Sequence, residues 1–183
     1  MTNATKLLQA LGVAALVSLS ASAHAQAINF DGTSAPCCFI STSPLTTLYS
    51  AQGITFSGVD GNGGSVLNES GGFGFNAHSG TDFLAFNTNV GTGIIERISF
   101  ANAATSVSIW AANRQGGLTT LEAFNAQNQL VASASVNAST TWQQLLVTGT
   151  GITTVRLTGA GYAFAYDDLN VAAVPEPETW ALL

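Results

Sequence analysis

Short segments in which apolar and polar residues alternate recur along the chain, about 8 to 12 residues apart. Val, Ile, Thr and aromatic residues dominate these segments, as they do in strands whose two faces meet different environments. Stretches rich in Gly, Asn and Ser separate them, and no long segment has helical periodicity. The pattern therefore predicts an all-β protein built as an antiparallel β-sandwich.

Ten segments are candidate strands, and a recognisable turn joins two of them. Residues 125–128 form a short polar stretch between apolar segments, which is typical of a β-hairpin and predicts antiparallel pairing. The predicted strands are centred near Ile28, Ile54, Leu84, Ile98, Ile109, Leu121, Val131, Leu145, Val155 and Tyr166.

Two further segments have a different character. One short helix is expected at residues 44–51, because Leu45, Leu48 and Tyr49 would share a helical face and Gly53 stands where a helix would end. Residues 58–80 are rich in Gly, Asn and Ser, which predicts a long, mobile loop holding at most one strand.

Residues 1–25 have the architecture of a cleavable export signal. They carry one cation, Lys6, followed by an uncharged apolar run from Leu7 to Leu19 and the small-residue end Ala23-His24-Ala25. The apolar run of about 13 residues is shorter than the roughly 20 that a membrane span needs. We expect a signal-peptide helix that is removed after Ala25, which leaves residues 26–172 as one β-sandwich domain.

Composition and charge narrow the possible partners. The chain has 183 residues, of which 46% are hydrophobic, and its four Lys and Arg stand against ten Asp and Glu for a net charge of -6. This hydrophobic share supports a folded core, and the scattered cations leave no basic stripe that could bind a nucleic acid.

The two cysteines, Cys37 and Cys38, are adjacent. Export would place them in an oxidising compartment, where disulfides are usual. Their Cα atoms are about 3.8 Å apart across one trans peptide, which is less than the usual span of a disulfide. We interpret the pair as reduced or vicinally bridged, and intermolecular pairing and metal binding remain alternatives.

Acidic residues near the two ends of the domain form the candidate metal site. The first and last strands of such a sandwich often lie close together, so Asp31 could share an ion with Asp167 or Asp168. Carboxylate oxygens suit a structural Ca²⁺. The alternative is that these acids are solvated and cap turns at strand ends.

No arrangement of residues predicts catalysis. His78 has Ser79 and Asp82 nearby in sequence, but triad members normally converge from separate parts of a fold and no G-x-S-x-G elbow is present. Asp167 and Asp168 are the only adjacent acids, and neighbours on a strand point to opposite faces, so they are poor partners for each other. We therefore expect a protein that is not an enzyme.

A tryptophan on a polar sheet face is the candidate ligand contact. In the segment SVSIWAANR, alternation places Val107, Ile109 and Ala111 on one face and leaves Trp110 on the other. Such an indole can stack on a sugar ring, and Asn113 and Arg114 could hydrogen-bond to its hydroxyls. The alternative is that a second sheet or a loop covers the indole.

Residues 173–183 contain the motif Pro175-Glu176-Pro177, followed by the apolar start Trp180 to Leu183. This ending resembles the PEP-CTERM sorting signal of exported proteins from Gram-negative bacteria that make exopolysaccharide. The resemblance implies an exosortase, a membrane enzyme, as partner. Family tails continue through an apolar span into a cluster of arginines, and this chain lacks both, so we expect membrane attachment only through an anchor missing from it.

The segments GITFSG, DFLAFN and FAYDDLNV look like the jelly-roll ectodomains that often carry this tail. We expect an exported cell-surface or extracellular-matrix protein, a non-catalytic module that binds polysaccharide. The alternative is a purely structural, self-associating surface or biofilm protein. An extracellular hydrolase is less favoured, because the sequence offers no convincing catalytic pair.

Overall fold

The computed structural model describes residues 25–32, 45–58, 64–71, 74–85, 95–161 and 164–173, which form nine β-strands in antiparallel pairs. No α-helix occurs within these ranges. The prediction of an all-β sandwich with a jelly-roll-like fold is confirmed. The strands are β1 (Ala25–Ile28), β2 (Ile54–Gly58), β3 (Ser65–Asn68), β4 (Asp82–Ala85), β5 (Ile95–Asn113), β6 (Gly117–Asn125), β7 (Leu130–Ala138), β8 (Gln143–Gly159) and β9 (Phe164–Ala173).

Two long strands, β5 and β8, take part in both layers. In the first layer, the order is β7-β6-β8-β5-β2, formed by the second half of β8 and the first half of β5. In the second layer, the first half of β8 pairs with the second half of β5, which pairs with β9. Both β1 and β4 pair with β9, and β3 pairs with β4.

Four of the ten predicted strands are therefore halves of longer ones. The segments predicted near Ile98 and Ile109 are both parts of β5, and those near Leu145 and Val155 are both parts of β8. Register shifts interrupt the β5–β8 pairing between Ser99 and Ser106. Such irregularities bend a strand without ending it, which lets one strand pass from layer to layer.

The main core fills the space between the layers. Its side chains come from alternate positions along most strands, with a change of phase in β5 and in β9, and in β5 the predicted inward residues Val107, Ile109 and Ala111 are fully buried. Full burial of one such aliphatic side chain contributes about 1.5 to 3 kcal/mol. Other members of this core are Ile54, Phe56, Ile98, Leu121, Leu145, Val147, Val155, Leu157, Leu169 and Val171.

The hairpin predicted at residues 125–128 joins β6 and β7. Asn128 N–H donates to the Asn125 carbonyl over 2.9 Å. The Asn125 side-chain oxygen accepts from the N–H groups of Gln127 and Gln129 over 3.0 and 2.9 Å. Asn125 therefore holds the turn through its own amide, as Asn often does in turns.

The helix predicted at residues 44–51 is wrong. Residues 46–49 form turns and Ser50–Gln52 forms one 3₁₀ turn, with hydrogen bonds that span three residues. A single helix of about eight residues is too short to offset the cost of nucleation. Of its predicted apolar face, Leu45 is buried and Tyr49 is partly buried, whereas Leu48 is exposed.

Several predictions fall outside the described residues. They concern the export signal up to residue 24, the cysteines Cys37 and Cys38, and the tail with Pro175, Glu176 and Pro177. Among the residues that are described, none belongs to a helix of the length and apolarity that crossing a membrane requires.

Candidate functional site

Residues 74–81, which we call the covering segment, lie across the outer face of the second layer. Phe75 packs against Phe83 and edge-on against Trp142, with ring centroids 5.9 and 5.6 Å apart. The Trp142 indole N–H donates to the Asn76 carbonyl over 2.9 Å. These rings cover a small apolar cluster that is separate from the main core. The predicted loop thus contains one strand, β3, as expected, and ends in a segment packed onto the sheet.

A β-bulge in β9 sets the direction of the side chains that form the site beside this segment. Ala165 packs on the outer face, whereas Leu169 and Val171 belong to the inner core, so the alternation changes phase between them. The β5–β9 register shifts between Ser108 and Trp110 opposite this point, and Asp168 has a left-handed φ of 48°. One extra residue in a strand re-aims the side chains that follow it.

The bulge corrects one prediction about the two adjacent acids. Asp167 and Asp168 were expected to point to opposite faces, but both carboxylates contact the same segment. Asp167 is fully buried, and its Oδ2 accepts from the N–H groups of His78 and Ser79 over 2.9 and 3.1 Å. Its Oδ1 accepts from Asp168 N–H over 2.7 Å.

Asp168 binds the side chains of the same two residues. His78 Nδ1 lies 2.5 Å from one carboxylate oxygen, and Ser79 Oγ donates to the other over 2.6 Å. The His78 ring stacks on the Trp110 indole, with centroids 4.0 Å apart and planes 18° from parallel. A chain of contacts therefore runs from Asp168 through His78 to Trp110 and fixes the indole.

The exposed side of this chain of contacts is an open pocket of about 360 Å³. Trp110 supplies an aromatic wall, and Asn29, Asp168 and Asn170 supply amide and carboxylate groups. Ala27 and Ile28 of β1 complete the lining. The lining surface is mostly polar, which suits a ligand with many hydrogen-bonding groups.

Burial raises the pKa of Asp167 from 3.8 to about 7. Hydrogen bonds from the backbone of Ser79, Asp168 and His78 lower this pKa, and the neighbouring charge of Asp168 raises it, but burial has the largest effect. Asp167 therefore exchanges its proton near neutral pH, directly beneath the backbone that carries His78.

Asp31 anchors the end of the covering segment. Its Oδ1 accepts from the N–H groups of Thr81 and Asp82 over 2.8 and 3.0 Å. Gly80 lies so close to this carboxylate that a Cβ there would overlap it.

Burial, followed by the charges of Asp31 and Asp82, raises the pKa of Tyr49 to about 12.

The predicted metal ligands Asp31, Asp167 and Asp168 thus contact one segment, but they do so as hydrogen-bond acceptors. Across the described ranges, no group of three or more His, Cys, Asp or Glu side chains is placed to hold a metal ion. Binding of Ca²⁺ by these acids stays a prediction.

The three residues predicted to contact a ligand have different surroundings. Trp110 is partly buried and lines the pocket, and the alternative that a loop covers the indole holds for the face on which His78 stacks. Asn113 is fully buried, with its amide donating to the Ala160 carbonyl over 2.7 Å and accepting from Gln115 N–H over 3.0 Å. This burial removes Asn113 from the ligand contacts. Arg114 is exposed, and its side chain packs over Gly74 at the far end of the covering segment.

The contacts of His78 and Ser79 differ from those of a catalytic triad. In a triad, the serine hydroxyl donates to the histidine, and the acid binds the other ring nitrogen. Here Ser79 Oγ and His78 Nδ1 both bind the Asp168 carboxylate. This arrangement orients the segment and does not activate the hydroxyl as a nucleophile.

Sequence reasoning missed Asn29, Asn170 and His78 as parts of the site. Asn170 follows Asp168 by two residues, so the period of a strand puts both on one face. Ala27 pairs with Asn170 across β1 and β9, which brings Asn29 to the same edge. The stacking of His78 on Trp110 joins parts of the chain 32 residues apart in number and has no local signal.

Several solved structures are similar to this chain to different degrees. The K2 cleaved adhesin domain of Lys-gingipain matches with a TM-score of 0.55 and 14% identity, covering 81% of this chain and 99% of that one. TmCBM61 in complex with β-1,4-galactotriose matches with a TM-score of 0.46 and 15% identity, covering 73% of this chain and 100% of that one. The family 32 CBM from C. perfringens NanJ in complex with galactose matches with a TM-score of 0.40 and 16% identity, covering 71% and 97%.

At these low identities the likeness shows the fold alone, a β-sandwich that this chain shares with the adhesin domain. No protein-family model matches the sequence, and no curated protein matches it.

Proposed function

We propose that the chain is a non-catalytic binding module for a neutral polysaccharide, with the pocket at Trp110 as its binding site. The observation that carries the proposal is the fixed indole wall beside amide and carboxylate groups in one open pocket. A sugar ring has an apolar face that packs on an indole and a rim of hydroxyls that hydrogen-bond to Asn29, Asp168 and Asn170.

The charge of the site favours a neutral sugar. The charged side chain that lines the pocket is Asp168, and the whole chain carries a net charge of -6. An acidic polymer would meet repulsion both at the pocket and from the protein at large. A neutral sugar avoids that cost, and its hydroxyls still donate hydrogen bonds to the carboxylate.

The contacts behind Trp110 support binding by preorganisation. His78 stacks on one face of the indole and is held by Asp168, whose neighbour Asp167 holds the backbone of the same segment. A side chain that is already ordered loses less conformational entropy when a ligand binds. The indole is thus available to a ligand at low entropic cost.

We further propose that this module acts outside the cytoplasm. The export signal in residues 1–25 and the motif Pro175-Glu176-Pro177 support export and exosortase recognition. A display role outside the cell is consistent with a polysaccharide as ligand.

The test is retention of the full chain in affinity electrophoresis with a panel of neutral and acidic polysaccharides. We expect retardation by at least one neutral polymer, its loss in Trp110→Ala, and weakening by about tenfold in Asn170→Ala, equivalent to one hydrogen bond. Leu118→Ala, an exposed residue on β6, is the matched control and should bind normally. The proposal fails if no neutral polymer retards the protein, or if Trp110→Ala binds as well as the control.

A further inference from the structure

Strand β7 (Leu130–Ala138) lies at the end of the strand order, next to β6. Among the strands that the structure describes, β6 is the one that hydrogen-bonds to β7. A nine-residue edge strand has a row of backbone N–H and C=O groups on its outer side. Another strand can pair with such a row.

The sequence of β7 has none of the charges or prolines that usually block pairing at an edge. No charged residue and no proline occurs between Glu122 and Arg156. Natural edge strands commonly carry Lys or Pro, which prevents another chain from adding to the sheet. The register shift between β7 and β6 lies near the start of β7, between Leu130 and Ala132, and the pairing is regular from Ala132 to Ala138.

The residues on the two faces of β7 also suit the addition of another strand to the sheet. Ala132, Ala134 and Val136 pack against the main core but are only partly buried. Ser133 and Ser135 are exposed on the other face. A strand added beside β7 would cover more of the apolar residues and leave the serines in water.

The order of residues in β7 is nearly symmetric about Ala134. If two copies pair antiparallel with a two-fold axis at Ala134, Ala132 lies opposite Val136 and Ser133 lies opposite Ser135. From Ala132 to Val136, each apolar position then meets an apolar one and each polar position meets a polar one, whereas Val131 lies opposite Asn137. The same surface is thus complementary to itself, as a two-fold interface requires.

We infer that β7 is a homotypic interaction surface, on which two copies of this chain join edge to edge through β7. The inference goes beyond polysaccharide binding and does not depend on it. A module that pairs in this way presents two pockets at once, which increases its avidity for a polymer.

The test uses charges that distinguish this pairing from any other. In the double variant Ser133→Lys/Ser135→Lys, lysines face lysines across the two-fold axis. In Ser133→Lys/Ser135→Glu, each lysine faces a glutamate of the other copy. The control Gln144→Lys/Thr148→Lys adds the same two charges to exposed positions of β8.

Sedimentation velocity of the full chain from about 1 µM to 1 mM should show a reversible dimer. We expect the dimer of the Lys/Lys variant to weaken by roughly tenfold or more, although its added charges reduce the net negative charge. The Lys/Glu variant and the β8 control should dimerise like the unmodified protein. A chain that stays monomeric throughout, or equal dimerisation of the Lys/Lys and Lys/Glu variants, would overturn the inference.

Discussion

The substitution Gly80→Ala tests whether Asp31 anchors the covering segment. Gly80 has a left-handed φ of 58°, and a Cβ at this position would overlap the Asp31 carboxylate. That carboxylate accepts hydrogen bonds from the N–H groups of Thr81 and Asp82. A side chain at Gly80 must therefore displace the carboxylate and break both hydrogen bonds. Gly80→Ala therefore acts on two components of stability at once.

The size of each component follows from the geometry. A left-handed φ costs alanine about 1 kcal/mol relative to glycine. A hydrogen bond to a charged group contributes roughly 1.5 kcal/mol, so loss of both bonds to Asp31 costs about 3 kcal/mol. We expect Gly80→Ala to lower the free energy of unfolding by about 4 kcal/mol.

Urea denaturation of four proteins separates the two components. In an Asp31→Ala background the carboxylate is gone, so Gly80→Ala should cost only about 1 kcal/mol, which gives a coupling energy of about 3 kcal/mol. Gly151→Ala is the matched control, because Gly151 has a φ of 72° and no atom within 4 Å of the added Cβ. It should also cost about 1 kcal/mol.

Equal costs of Gly80→Ala in the two backgrounds would refute the reasoning, since the carboxylate would then have no part in the effect. So would a Gly80→Ala protein as stable as the Gly151→Ala control.

Three further outcomes are expected. Because Asp167 has a pKa of about 7 when folded and near 3.8 when unfolded, the folded state holds the extra proton between these values. The free energy of unfolding should therefore fall as pH rises across that range, by at most about 1.4 kcal/mol per pH unit from this group. Asp167→Asn should remove this pH dependence. Identical pH slopes for the variant and the unmodified protein in urea titrations would contradict the prediction. Trp142→Phe should cost about 1 kcal/mol in the same assay through the lost bond to the Asn76 carbonyl, so an unchanged midpoint would count against that bond. Arg156→Met should cost under about 1 kcal/mol, less at high salt, because its pair with Glu122 is partly exposed; a larger cost that salt does not alter would contradict this.

The strands could be predicted from the sequence because each carries its own signal. Val107, Ile109 and Ala111 alternate with Trp110, and this local pattern placed the indole on the outer face. The local sequence does not determine whether neighbouring segments form one strand or two. This depends on the bend between the layers, which the structure provides with the register shifts in β5.

The site was predicted only in part, because the bulge and the burial of polar groups arise from tertiary contacts. The sequence does contain a trace of the bulge, since Phe164 and Tyr166 occupy inward positions in one phase and Leu169 and Val171 in the other. Two adjacent acids at the change of phase mark the extra residue. Asn113 has no comparable mark, because its hydrogen-bond partner Ala160 lies 47 residues further along the chain.

The position of Asp168 within β9 determines how a pull on a bound polymer would travel through the molecule. From Asp168 the strand runs only to Ala173, with hydrogen-bonded neighbours on both sides, β1 and β5. If the module is tethered beyond that end, tension follows this short stretch, and several bonds must shear together before it yields. Because Trp110 also lines the pocket and lies on β5, β5 would share this load with the end of β9.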